Sequence, residues 1–195
     1  MRGGRVKDKV RAIGIDDAPF EFSQEKVRVI GSVVRAPNYL EGVLSTEVKV
    51  DGDDATSQIG KMISESRFVE QASVIFIDGA AVAGFNLIDL EKLKDMVDVP
   101  CVTVSREKPD FEKIKNAMEQ HFDRWEKRYE LMKHGDIHKI ETEHKPVYIQ
   151  KEGMSLKNVK RLMQLFTVLG RLPEPIRISH IIASGIVAGE SKGKA

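Results

Sequence analysis

Two apolar runs of this chain end on aspartates, and a third segment opens with them. "VRAIGID" closes at Asp16, and Ser73-Val-Ile-Phe-Ile-Asp closes at Asp78. Between them, "DGDDAT" offers Asp51, Asp53 and Asp54 at the start of a helical pattern. In open α/β sheets, ligands and catalytic groups collect at the carboxyl ends of strands. If the two apolar strands are neighbours, Asp16 and Asp78 lie side by side, and a carboxylate from the helix start completes a cluster. Like charges about 4 Å apart repel by roughly 4 kcal/mol at an effective dielectric near 20. A divalent cation removes that repulsion, and oxygen-only ligands favour Mg2+ or Mn2+ over zinc. Such ions polarise a phosphodiester, activate a water and stabilise the leaving oxygen. Asp54, nearest the helix start, is the favoured middle ligand, then Asp51 and Asp53. Glu47 shares its strand parity with Lys49 and reads as solvated. Each acid also has a plainer role: Asp16 and Asp78 as turn formers, Asp54 as a helix N-cap.

The elements that must position these acids follow from periodicity. "VRAIGIDDAPF" predicts a first strand, "KVRVIGSVVRA" a second and "LEGVLSTEVKV" a third, half-buried one with Leu44, Val48 and Val50 on one face. Short links between them imply an antiparallel meander. A helix follows "DGDDAT", with Ile59, Met62 and Ile63 at helical spacing. The strand ending at Asp78, a helix over about Leu87–Met96 and a strand over Val99–Val104 then alternate, which implies parallel pairing. Residues 110–134 predict one long charged helix, and "IHKIETEHKPVYIQKEG" a small hairpin. Ser155 to Gly170 reads as a helix with Leu162, Leu165 and Val168 inward, followed by a last helix after "LPEP". The expected fold is α/β: a mixed sheet, three antiparallel strands then parallel ones, flanked by helices. A single domain over 1–195, with a helical and hairpin elaboration around 107–170, fits this length.

Composition bounds the rest. The formal net charge of +1 gives no bulk attraction to nucleic acid or membrane, so local patches must carry any such binding. The one cysteine, Cys101, sits in an apolar run and excludes an internal disulfide framework. With no apolar stretch of the roughly 20 residues a membrane span requires, a cytoplasmic location is expected and a membrane partner is not. The pair His134 and His138 lacks the glutamate of a zinc-protease motif. Gly79 to Gly84, "GAAVAG", has the glycines of a phosphate loop without its Lys-Ser/Thr. Its small residues suit close approach to the backbone, and a flipped-out base would fit between Gly79 and Gly84. Lys157, Lys160, Arg161, Arg171 and Arg177 are spaced to contact phosphates or simply to form a solvated face.

This order of strands and acids resembles the ribonuclease H-like fold, and within it endonuclease V. "IGIDDAPF" is similar to that family's first motif, and "VIFIDGAAVAGFNLIDL" to its strand-Asp-Gly motif without the His-Pro-Arg. The whole chain is closer still to an archaeal family, endonuclease dU, through "IGIDDAPF", "VDGDDAT", "DGAAVAGFN" and "PEPIRISHIIASG". The resemblance implies a metal-dependent endonuclease acting on nucleic acid, DNA more than RNA, that carries deaminated bases such as uracil or hypoxanthine. Asp16, Asp54 (or Asp51) and Asp78 would then hold Mg2+ or Mn2+. His180 stands where endonuclease V has a further aspartate, and could shuttle a proton or sit on a solvated face with Arg177 and Ser184. Tyr39, in "RAPNYLEG", stands in a place similar to endonuclease V's tyrosine wedge near the cluster, without its Pro-Tyr-Ile-Pro, and could stack on a base or pack under the loop. Two other classes remain open at this point: an inactive nucleic-acid-binding module on the same fold, and a small-molecule α/β protein with an enclosed pocket.

Overall fold

The computed structural model describes residues 10–191. β1 (Arg11–Asp17), β2 (Lys26–Arg35) and β3 (Tyr39–Lys49) form the antiparallel meander. β4 (Ala72–Asp78) joins β1 in parallel, and β7 (Cys101–Ser105) joins β4 in parallel. The hairpin β8 (His138–Ile140) and β9 (Val147–Glu152) adds to β7 antiparallel. The seven-stranded order is β3-β2-β1-β4-β7-β9-β8. β5 (Ala81–Val82) and β6 (Asn86–Leu87) form a separate ribbon just after β4.

β4 is apolar on both faces because both are covered. Ile75 and Ile77 join Ile13 and Ile15 under α1 (Ala55–Ser64) and α2 (Leu90–Val97). Val74 and Phe76 join Ala12, Val102 and Val104 under α5 (Leu156–Phe166) and α6 (Glu174–Ala188). β3, at the edge, alternates as its sequence does, with Val48 buried and Glu47 and Lys49 exposed. Among the described residues no helix is long and apolar enough to cross a membrane.

Three helices differ from their sequence reading. The long helix over 110–134 is two, α3 (Phe111–His121) and α4 (Trp125–Lys133). The break falls at Phe122, which turns extended so that its ring packs edge-on to Phe85 at 5.7 Å. α5 stops at Phe166, and Thr167 beyond it is extended, so Val168 never joins the helix. Its buried stripe is Val159, Met163 and Phe166; Leu165 and Val168 are exposed. α2 starts at Leu90 because Asn86 and Leu87 are paired in the ribbon, and Asp89 caps it by accepting the Lys92 N–H.

α6 lies directly on β1 at Gly14. A Cβ there would stand 2.0 Å from the Pro175 carbonyl carbon and 2.5 Å from the Ile176 nitrogen. Ser179 donates to the Gly14 carbonyl and accepts the Ser32 N–H, while Ser32 donates to the Pro175 carbonyl. Gly14→Ala forces backbone apart, so a loss of about 3 kcal/mol is expected, to be read by denaturant unfolding.

Candidate active site

Parallel pairing of β1 with β4 matches Ile15 to Ile77, so Asp16 and Asp78 emerge at the same sheet edge. Asp16 is only 5% exposed. Its Oδ1 accepts the Asp17 N–H at 2.9 Å, and its Oδ2 stands 2.9 Å from His180 Nδ1. The serine bonds between α6 and β1 set that distance. Asp78 meets the Arg106 guanidinium, Nη1 to Oδ2, at 3.0 Å. Asp17 points to the other face of β1 and accepts the Ala83 N–H at 2.7 Å.

The electrostatics are uneven. Burial first, then the charges of Asp78 and Asp17, pushes the Asp16 carboxyl up to about 8, against the Asp17 N–H and Arg106. Burial also raises Asp78, although Arg106 and His180 oppose it. Asp17 is raised chiefly by burial as well. The charged forms of these acids are thus penalised at this edge, and Asp16 holds its proton up to about pH 8.

The middle carboxylates have other partners. Asp51 adopts a left-handed conformation, φ 52°, and its Oδ1 accepts the Phe85 N–H at 2.8 Å. Asp54 Oδ1 accepts the Lys49 N–H and the Asn86 side-chain amide. Asp54 occupies the N-cap position of α1 without capping it; Asn86 Oδ1 accepts the Ala55 N–H instead. Asp53 is exposed. Among the described residues, no three His, Cys, Asp or Glu side chains are grouped to hold a metal ion. The expected convergence of Asp51 or Asp54 on the pair is therefore not seen, because these acids tie the β3–α1 loop to the β5–β6 ribbon.

The other expected residues scatter. Tyr39 pairs with Arg35, which pairs with Arg11 at the start of β1. It therefore sits at the opposite end of the strands, about 17 Å along them from Asp16, instead of near the cluster. The Arg35 guanidinium covers its ring. Lys157, Lys160 and Arg161 are exposed on α5, whose start follows Glu152, the partner of Cys101 at the far end of β7. Arg161 lines a cavity with Val10, Ala36 and Pro37 at that end. Arg177 is held by the buried Glu174 carboxylate, and Ser184 is buried, so the two do not form a solvated face with His180. Gly79 needs its positive φ of 75° to turn the chain after Asp78. At Gly84 the close approach is internal: a Cβ would lie 2.3 Å from Asp51 Oδ1.

Sequence reasoning missed Asp17, Arg106, Asn86 and Arg128. Arg106 had a signal, since it follows the third parallel strand at the edge where Asp78 ends the second. Arg171 donates to its carbonyl and steadies it. Arg128 had none: from α4 it donates to the carbonyls of Asp51, Gly52 and Phe85 at 2.5–2.9 Å. Arg128→Ala leaves these acceptors unpaired and is expected to cost about 3 kcal/mol, read by thermal unfolding.

The sequence profile of the endonuclease dU family matches residues 8–187. The chain belongs to the endonuclease dU family. A UPF0215 protein of Methanothermobacter thermautotrophicus is 41% identical over 193 residues, 98% of this chain and 94% of that one. A solved protein of unknown function from Archaeoglobus fulgidus is similar at TM-score 0.83 and 37% identity, over 92% of this chain and 99% of that one. Human ENDOV is similar at TM-score 0.58 and 17% identity, over 91% and 84% of the two chains. Ciona intestinalis endonuclease V, solved with a 24mer DNA containing an inosine followed by a ribo-adenosine, is similar at TM-score 0.56 and 13% identity, over 89% and 84%. The endonuclease V likenesses establish a shared fold, and the endonuclease dU protein has the ribonuclease H-like mixed sheet that its strand order predicts.

Proposed function

We propose that this endonuclease dU protein hydrolyses phosphodiester bonds in nucleic acid, in DNA that carries a deaminated base, with Asp16 and Asp78 as ligands for Mg2+ or Mn2+. The observation that carries the reading is the pair of carboxylates at adjoining strand ends, Asp16 buried and Asp78 partly buried, both raised above the ordinary range. Two hard oxygen donors whose charged forms lack full compensation by the protein fit a divalent cation that keeps several waters, as magnesium does, since the ion would stabilise both carboxylates. When bound, it would supply Lewis-acid polarisation of the phosphodiester and a more acidic water.

The chain's own residues divide the remaining work. His180, with Nδ1 at Asp16, keeps Nε2 to accept or pass a proton. Arg106, beside Asp78, is a fixed cation for a phosphate oxygen. Asp17 braces the loop after β4 through the Ala83 N–H. The family description and the inosine-containing DNA of the Ciona protein favour a deaminated base in DNA. An enclosed small-molecule site is less favoured, since two roomy cavities, of about 910 and 860 Å³, are lined by Val10, Pro37 and Arg161 and by the β8–β9 hairpin with α5. The inactive-module reading draws on the lack, among the described residues, of a third ligand grouped with the pair.

The test is cleavage of labelled oligonucleotides holding one uracil, one hypoxanthine or only normal bases, with Mg2+ or Mn2+. Asp16→Asn and Asp78→Asn should each lower lesion-dependent nicking by about 1,000-fold or more. Binding without cutting, unchanged in both variants, would favour the inactive module.

A further inference from the structure

We infer that Phe22 is a stacking platform for an unpaired base at the candidate active site; this rests on the nucleic-acid reading above. An antiparallel meander alternates its ends, so the β1–β2 connection, residues 18–25, leaves the sheet where Asp16 and Asp17 do. Phe22 sits at its tip and is 72% exposed. Among the described large apolar side chains that stand exposed, only Phe22 and Tyr39 are aromatic, and Tyr39 is at the other end of the sheet.

The tip is rigid. The Gln24 N–H donates to the Glu21 carbonyl and the Glu21 N–H to Gln24 Oε1, both at 3.0 Å, which closes a turn around Phe22. Phe20 packs against the core and meets Phe22 edge-on, with ring centroids 5.3 Å apart. The Phe22 ring also reaches the loop after β4: its Cε1 lies 3.2 Å from where a Gly84 Cβ would be. That loop is the one whose Ala83 N–H binds Asp17. One edge of the ring is thus fixed against elements that carry the acids, while much of its surface stays open to solvent. An aromatic face in that position suits a base taken out of its stack, and stacking tolerates any base because every base has a π-face.

The experiment compares full-length wild type with Phe22→Ala, Phe22→Leu and Phe22→Trp, measuring Kd by fluorescence anisotropy on single-uracil and single-hypoxanthine oligonucleotides. Alanine and leucine should each weaken binding about tenfold, the size of one lost base stack, and tryptophan should restore it. In oligonucleotides with an abasic site walked along the strand, one position should erase the alanine penalty. Thermal unfolding of each variant separates a folding defect from lost stacking. Alanine and leucine variants that fold and bind like wild type overturn the assignment and leave the nuclease reading standing. A wild type that neither binds nor cuts any oligonucleotide overturns both.

Discussion

Asp16→Asn is expected to abolish nicking and, without metal, to make the protein harder to unfold at pH 8. The loss of activity follows from removing one of two anionic oxygen donors at the strand edge. The gain in stability follows from the raised carboxyl. Between the ordinary aspartate value near 3.8 and about 8, the native state holds a proton on Asp16 that the unfolded chain has released. The wild type therefore loses stability as pH rises through that window, and the loss is largest above about 8. Below about 4 the group is protonated in both states and contributes nothing. A shift of that size corresponds to a ceiling on the order of 6 kcal/mol; local relaxation of the charged form makes about 3 kcal/mol the expected gain. Asparagine mimics the protonated form, with an oxygen for the Asp17 N–H and an amide for His180. Urea unfolding of chelator-treated protein should show the variant more stable at pH 8 and equal to wild type near pH 4. A variant less stable at both pH values would make Asp16 a structural turn former.

Asp51→Ala should behave in the opposite way. Its carboxylate serves the Phe85 N–H and its backbone is left-handed, so alanine loses a hydrogen bond and takes on strain. About 2 kcal/mol of stability should vanish at pH 8, with activity falling only as the loop loosens. The contrast separates an acid that costs stability from one that supplies it, which sequence alone does not reveal. Asp16 and Asp78 were legible because an apolar run of strand length followed by Asp is a local pattern, and parallel pairing then brings the ends together. Asp51 and Asp54 were not, since their partners come from β3, the β5–β6 ribbon and α4, up to 77 residues away. The misplacement of Tyr39 had a readable cause: in a meander the second turn lies away from the first, and Asp16 stands beside the first. The division of the 110–134 helix was hidden because Phe122 satisfies helical spacing while its ring is drawn to Phe85.

Divalent metal should reverse the order of stabilities that Asp16→Asn creates. A cation held by the native pair and not by the unfolded chain adds RT ln(1 + [M]/Kd), about 2.7 kcal/mol at one hundred times Kd. For a chain of this size that is a rise in Tm of roughly 5–10 °C, expected in wild type with Mn2+ or Mg2+ and absent in Asp16→Asn and Asp78→Asn. Binding requires Asp16 to give up its proton, so acid competes with metal. With that group at about 8, apparent affinity should fall close to tenfold for each pH unit from about 8 down to 6. Isothermal titration with Mn2+ at pH 6, 7 and 8, run beside the melts, reads both effects without reference to cleavage. Arg106 adds a second competitor, because its guanidinium must be displaced from Asp78 or shared with the ion. Arg106→Ala should therefore tighten metal binding while slowing nicking, as a residue that neutralises Asp78 and grips phosphate must do. If Mn2+ leaves Tm unmoved at every pH while lesion-dependent nicking persists, the two strand-end aspartates are not the metal site.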